Sequence, residues 1–247
     1  MPDISFRDHR GCLTLWQAIL DLEAKDGKRL GKRRRLEGGA AIWGPSDISD
    51  RTYALERGRV NIIALDERGR ELLVQIVTAG ESFGELCFCA EDGGIRNSTA
   101  VAVADSVVVE ASYAAIIQYL QTRGDLLRAV VTTFCARLTD CELRGEALSH
   151  KEADQRIGRL LLMLAIRPHQ PLRKEAALAV THRELALLAA MTRSHVTVVL
   201  NRFKARGGVS YVRYGPITVH IETVRKLLAN GRRTMPRGRM AATIAKR

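Results

Sequence analysis

The sequence predicts an α+β protein, with strands first, helices second and a winged helix-turn-helix at the C-terminal end. Three observations carry this. Between Gly38 and Glu110, short β-branched and apolar segments alternate with turn residues; after Ser112 the apolar period changes from two to three or four; and Thr181-His182-Arg183-Glu184 opens a pair of helices joined by a short connection.

Taken in order, Leu13 to Ala24 reads as a helix, because Leu15, Ile19 and Leu22 recur at helical spacing. The basic run Lys28-Arg29 and Lys32-Arg33-Arg34-Arg35 follows, expected as a solvated turn, with a second nucleic-acid contact as the alternative. From Gly38 the chain is punctuated at Gly44-Pro45, Arg57-Gly58, Glu67-Arg68-Gly69, Ala79-Gly80 and Asp92-Gly93-Gly94. Strands at intervals of roughly 8–12 residues between such turns, among them Val60 to Leu65, Leu72 to Val77, Ser98 to Ala104 and Val107 to Glu110, predict a small antiparallel sandwich or barrel.

Tyr113 to Leu120 reads as a short helix, and Gly124-Asp125 opens a longer one. In it Leu127, Val131, Phe134, Leu138, Cys141, Gly145 and Leu148 alternate in steps of four and three, a seam expected to pair with a second copy, with a single amphipathic helix packed on its own domain as the alternative; Gly145 weakens its last turn and marks a candidate bend. Helical sequence resumes from Ala153 to Arg167 and stops at Pro168. The chain is thereby divided into an N-terminal helical and basic segment (1–37), a β domain (38–124), a dimerisation helix with hinge (125–150), a DNA-binding domain (151–228) and a basic tail (229–247).

The Thr181…Glu184 pattern is a capping box, in which the hydroxyl and the carboxylate each satisfy a free N–H at a helix start. Thr192 caps the next helix, Arg193 to about Arg206, which places Val196, Val199, Leu200 and Phe203 on one face and Arg193, Ser194, Thr197 and Asn201 on or near the other. Such a second helix can enter a major groove, where arginine is the best bidentate reader of guanine. Val209 to Ile221, with Tyr211, Arg213 and Tyr214-Gly215-Pro216, reads as a β-hairpin wing that touches phosphates. The candidate DNA-binding residues are Thr181, Thr192, Arg193, Ser194, Thr197, Asn201 and Arg202.

Composition narrows the function classes. The 247 residues include 39 basic and 27 acidic side chains, a net charge of +12, which points to a polyanionic partner, nucleic acid before an anionic membrane surface. The longest apolar run, Leu160 to Ile166, is far short of the ~20 residues that cross a bilayer. The start of the chain, with Arg7, Asp8, His9 and Arg10, is not that of a secretory signal, so a cytoplasmic protein is expected. Five cysteines with no C-x2-C pair do not make a disulfide framework or a structural zinc site, and His169, His182, His195 and His220 form no catalytic motif, so no enzyme is expected.

The order of these parts resembles the Crp/Fnr family of bacterial transcription regulators, over nearly all of Gly38 to Leu228. Gly80-Glu81-Ser82-Phe83-Gly84-Glu85-Leu86, then Arg96, Ala102 and Asp105, are similar to that family's cyclic-nucleotide cassette. Arg156-Ile157, Leu160 to Ala165 and Thr181 to Phe203 are similar to its DNA-binding half. The resemblance implies a β-roll of jelly-roll type (a double-stranded β-helix), a homodimer, a palindromic double-stranded DNA operator, RNA polymerase as a partner and no membrane. It implies that Glu85 holds a ribose hydroxyl and Arg96 a cyclic phosphate, with Gly84 allowing close approach and a short helix from Glu85 through Leu86 aiming N–H groups at the anion.

Two departures bear on the effector. Asn97 stands where the family usually has Ser or Thr, and Cys141 and Glu142 stand where cAMP-responsive members contact adenine through hydroxyls. The expected effector is therefore cAMP, cGMP, cyclic di-GMP or none, and Glu142 is a candidate acceptor for an amino group such as that of guanine. The alternative is a ligand-independent regulator, or a redox or metal sensor using Cys87, Cys89, Cys135 and Cys141; more remote is a cyclic-nucleotide-binding regulatory module. On the reading helix, Ser194 and Val198 replace the Glu and Arg that the family often carries, so familiar operators are not expected to transfer. The basic tail, from Arg225 and Lys226 to Lys246 and Arg247, is expected to add non-specific DNA affinity.

Overall fold

The structure is a computed structural model that describes residues 15–27, 31–85, 94–121, 123–166, 173–212 and 215–231. Leu86, Cys12, Cys87, Cys89, Lys28, Arg29, Arg213, Tyr214 and all of the tail after Gly231 lie outside the described residues. The chain divides into two compact units, Met1–Glu142 and Leu143–Arg247, eight residues before the hinge expected at 150.

The first unit contains α1 (Leu15–Asp26), eight strands, α2 (Tyr113–Leu120) and most of α3 (Gly124–Ser149). The strands are β1 (Lys32–Leu36), β2 (Ala41–Trp43), β3 (Arg51–Arg57), β4 (Arg59–Leu65), β5 (Glu71–Thr78), β6 (Ser82–Phe83), β7 (Ser98–Ala102) and β8 (Ser106–Ser112). They form two four-stranded sheets in the orders β1-β8-β3-β6 and β2-β7-β4-β5, with every pairing antiparallel. This is the predicted β-roll.

Alternation along the strands decides what each face buries. Tyr53 and Leu55 of β3, Val108 of β8, Val60 and Ile62 of β4, Val77, Phe83 and Trp43 meet in one core cluster. Ala54 of β3 and Val109 and Ala111 of β8 belong to a second cluster, with Leu15, Trp16 and Ile19 of α1, Ile116 of α2 and Leu126, Ala129 and Val130 of α3. The small side chains at 54 and 111 let the helices lie close to the strands. Thr133 of α3 adds a polar tie, its hydroxyl accepting from the Leu15 N–H at 3.2 Å and donating to the Ala129 carbonyl at 2.9 Å.

One expectation is corrected here. The described part of the basic run is not a turn but β1, paired with β8, so the sheet begins before the boundary drawn at residue 37. Two of its arginines are paired with carboxylates, although Lys32, Arg33 and Arg35 remain exposed: Arg33 meets Glu56 at 2.9 Å and Glu23 at 3.3 Å, and Arg34 meets Glu110 at 2.7 Å. Arg51 also donates to Glu110. Charge had masked the strand, because its apolar partners come from elsewhere in the chain.

The second unit holds the end of α3, α4 (Ala153–Ala165), β9 (Glu175–Leu178), α5 (His182–Ala189), α6 (Arg193–Ala205), β10 (Val209–Ser210), β11 (Ile217–His220) and α7 (Ile221–Gly231). Gly145 does not interrupt α3, which runs on to Ser149. The three strands form one sheet in the order β10-β11-β9. Ile157, Leu160, Leu161, Leu185, Leu188, Val196, Val199, Leu200, Phe203, Val224 and Leu228 are buried. Gly158 makes the α4 packing close: a β-carbon there would stand 2.6 Å from Leu228 Cδ2 and 2.9 Å from Phe203 Cζ. Neither β9 nor α7 was anticipated.

Candidate effector cassette and DNA-reading head

In the first unit, Ser82 and Phe83 end β6 and deliver Gly84 and Glu85. Gly84 has φ +83°, a left-handed backbone that favours glycine. A β-carbon there would lie 3.2 Å from Tyr53 Cδ2 and 3.3 Å from Arg96 Nη1. Arg96 is 7% exposed. Its guanidinium donates to the carbonyls of Gly84 (3.2 Å) and Arg51, and its Cζ lies 4.3 Å from the centre of the Trp43 ring. Its Nε is buried with no hydrogen-bond partner. Among the described residues no carboxylate forms an ion pair with it, so the positive charge is met only by carbonyl dipoles and a ring face. The fit to an anion is therefore chemical: a buried, donor-rich cation still carrying an unused N–H.

Glu85 is equally buried. It accepts from Ser82 Oγ at 2.7 Å and lies 3.8 Å from Arg137 Nη2 of α3. Arg137 also donates to the Ser82 carbonyl, and its Nε is buried and unpartnered. Arg137 thus brings α3 onto the cassette, a role that its position among apolar seam residues did not advertise. Its spacing from Leu126, Val130 and Thr133, in steps of four, three and four along the roll-facing side of α3, was the available signal. Asn97 is exposed beside Arg96, and Cys141 and Glu142 are exposed on α3, away from the described cassette contacts. Asp105 has a structural task, accepting from the Gly38 N–H at 3.1 Å. The ring stack of Trp43, Tyr53 and Phe83, with centroids 5.2–5.6 Å apart, walls the site on the core side.

In the second unit, the capping box is formed in full: Thr181 Oγ1 accepts from Glu184 N at 3.1 Å, and Thr181 N donates to Glu184 Oε2 at 2.7 Å. Ala190, at φ +51°, turns the chain between α5 and α6. Thr192 Oγ1 then accepts from His195 N and lies 3.2 Å from Ser194 Oγ. Arg193, Ser194 and Asn201 are exposed. The Thr197 hydroxyl is engaged inside the head, donating to the Arg193 carbonyl at 2.9 Å and facing His182 Nδ1 at 3.0 Å. Burial of the His182 ring, and then the charge of Arg193, push its pKa below the ordinary histidine value. A neutral imidazole is the result at pH 7.

The wing is bonded to the reading helix by Tyr211. Its hydroxyl donates to Asn201 Oδ1 at 2.8 Å, its carbonyl accepts from Lys204 Nζ at 3.1 Å, and its ring meets His182 edge-on at 5.4 Å. Arg202 is turned instead to Asp154 of α4, at 2.8 Å, so it stands apart from the other predicted reading residues. Val198, not among the predicted reading residues, is 55% exposed on α6. Arg156 braces the head, donating to the Ala189 carbonyl and to that of His150. Among the described residues no group of three or more His, Cys, Asp and Glu is placed to hold a metal ion, and no helix is long and apolar enough to cross a membrane.

Comparison with known proteins agrees with this geometry. A cyclic nucleotide-binding domain family matches residues 33–123 and a Crp-like helix-turn-helix domain family matches residues 155–229. The chain is 31% identical to the cyclic AMP receptor protein of Thermus thermophilus over 193 residues, 77% of this chain and 83% of that one. It is 24% identical to the cAMP-activated global transcriptional regulator Vfr of Pseudomonas aeruginosa over 178 residues, 71% and 83% of the two chains. Among solved structures, the c-di-GMP responsive global regulator CLP of Xanthomonas campestris superposes with a TM-score of 0.61 at 25% identity, covering 77% of this chain and 94% of that one. A CooA variant from Carboxydothermus hydrogenoformans shares the fold, with a TM-score of 0.69 at 17% identity over 90% and 99% of the two chains. With a cyclic nucleotide-binding domain followed by a Crp-like helix-turn-helix, the chain belongs to the Crp/Fnr family of transcription regulators.

Proposed function

We propose that this regulator binds a palindromic DNA operator as a homodimer and is controlled by a cyclic nucleotide or cyclic dinucleotide, whose phosphate is held by Arg96 and whose ribose is held by Glu85. The observation that carries the effector reading is the buried guanidinium of Arg96, which meets carbonyls and a ring but, among the described residues, no carboxylate. A phosphate supplies the missing counter-charge, and charge-assisted bonds of this kind are about twice as strong as neutral ones. Arg137 is the second cation of the site and links the ligand to α3. Relatives described as cAMP-activated and as c-di-GMP responsive support the effector class. Exposed Glu142 offers an acceptor to a base amino group where Cys141 offers no hydroxyl, a chemistry open to adenine and guanine alike.

The pairing surface is the seam on α3, where Leu127, Val131 and Leu138 are 51%, 52% and 62% exposed on one helix face. Burying such a stripe against a second copy is the usual resolution of an apolar seam. On DNA, Arg193 and Ser194 face base edges, Asn201 lies further along the same side, and the caps Thr181 and Thr192 hold the N–H groups near the phosphates. Contact with RNA polymerase and a cytoplasmic location follow from the regulator reading.

Calorimetry with cAMP, cGMP and cyclic di-GMP tests the effector half, on the wild type and on Arg96→Lys and Arg96→Ala. Heat with one of the three, lost in Arg96→Ala, is expected. No heat with any, together with full DNA binding by the untreated protein, would eliminate the nucleotide sensor and leave the DNA-binding reading intact.

A further inference from the structure

The outer side of α6 has an unusual chemistry for a surface meant to meet a polyanion. Ser194, Val198, Asn201 and Ala205 recur at steps of four, three and four, opposite buried Val196, Val199, Leu200 and Phe203, and all four are exposed. The stripe carries no charge. Two of its neighbouring cations are occupied at the flanks, Arg202 paired with Asp154 and Lys204 bonded to the Tyr211 carbonyl and 4.6 Å from the centre of its ring, while Arg193 at the start of the helix is exposed. An uncharged stripe of short side chains does not reach for phosphates. It allows the helix to sit close to the groove floor.

At its centre stands Val198, with more than half of its surface in water. The floor of the major groove offers hydrogen-bond donors, acceptors and one apolar group, the C5-methyl of thymine. A valine pressed against a donor or acceptor would strip water from it and return no bond, a net cost. Pressed against a methyl it buries both. The polar neighbours one turn to either side agree with this: Ser194 has a hydroxyl and no carboxylate, and Asn201, with Oδ1 accepting from Tyr211, keeps its amide N–H groups for acceptors. We infer that Val198 reads a thymine methyl, making one T·A pair in each half-site a determinant of operator choice. The inference rests on the DNA-binding reading above and deepens it.

The test uses the full chain. A half-site is first enriched from a randomised duplex pool, and each of its thymines is then replaced singly by deoxyuridine, which removes the methyl and nothing else. At one thymine per half-site the wild type is expected to lose about fourfold in affinity, the worth of one buried methyl group. Val198→Ala is expected to bind the thymine operator more weakly and to respond less than about twofold to the same replacement, because its partner surface is gone. Val198→Ile is expected to restore the response. Both changes are on the exposed helix surface, and circular dichroism checks that the head stays folded. A wild type indifferent to every methyl, or a Val198→Ala protein as sensitive as the wild type, would overturn the inference while leaving DNA binding in place. Enrichment of no sequence at all, whether without effector or with cAMP, cGMP or cyclic di-GMP present, would overturn the DNA-reading proposal, and this one with it.

Discussion

Replacing Glu110 by Gln tests how the roll is held around its arginines. The Glu110 side chain is 8% exposed and accepts from Arg34 and Arg51, whose side chains are 37% and 48% exposed. Burial alone would push its carboxyl up, but the hydrogen bonds and charges of the two guanidiniums outweigh it and hold the pKa below the ordinary glutamate value. The hydrogen bond to Glu110 correspondingly raises Arg51. Removing one partner of a fully buried pair costs about 3–5 kcal/mol; with both arginines half in water, and Gln still able to accept one bond, about 1–3 kcal/mol is expected here. A carboxylate whose folded pKa is depressed contributes stability above its unfolded pKa of about 4.3 and loses that contribution as pH falls through the folded value. The gap between wild type and Glu110→Gln is thus expected to be constant from about pH 5.5 to 8 and to narrow as pH falls from the unfolded value toward the lower folded one.

Urea unfolding followed by tryptophan fluorescence suits this measurement, since both tryptophans of the chain, Trp16 and Trp43, lie in the first unit. With a slope near 2 kcal/mol per molar urea, the midpoint should fall by about 0.5–1.5 M at pH 7. Other acids titrate alike in both proteins and cancel in the difference. Equal midpoints at pH 7, or a gap that widens rather than narrows as pH falls below about 4.3, would refute the reasoning.

Gly84→Ala forces a side chain onto φ +83° and sets its β-carbon 3.3 Å from Arg96 Nη1, so it should cost about 1–2 kcal/mol and weaken nucleotide binding while leaving DNA binding without effector unchanged. Unaltered urea midpoint and nucleotide heat would contradict that account. Leu138→Lys places a charge at the most exposed apolar position of the α3 seam and should give a monomer by light scattering, with the tryptophan signal of the roll unchanged. A dimer that survives this change would show that the pairing surface lies elsewhere.

Much of the architecture follows from local rules. α2 begins at Tyr113 and ends at Leu120, as its spacing predicts, because Ser112 caps it with an accepted bond from the Ala115 N–H. The Thr181…Glu184 box and Thr192 place the two helix starts of the head to the residue. By contrast, β1 reads as a charged run, and only its register against β8 reveals a strand. The four residues of β9 show no alternation strong enough to read, and they are a strand because β11 hydrogen-bonds them. For α7 a signal was present, since Ile221, Val224 and Leu228 recur at helical spacing and are buried, but it lay beside a tail whose basic composition obscured it.

The candidate sites divide the same way. Sequence by itself determined the chemistry available: Arg96 and Glu85 in a glycine-led cassette, Arg193, Ser194 and Asn201 on a capped helix, and an apolar seam between them, because residue type, period and capping act over a few residues. Only the tertiary structure decided which of these groups are free. Arg202 is taken up by Asp154, the Thr197 hydroxyl by its own helix and His182, and one side of Asn201 by Tyr211, whereas Arg96 keeps an unused N–H, Arg137 joins Glu85, and Val198 is left facing outward. Each of these outcomes depends on a partner distant in sequence or on which side of a helix meets the core, and hydrogen bonds and burial are settled by spatial neighbours rather than by order along the chain.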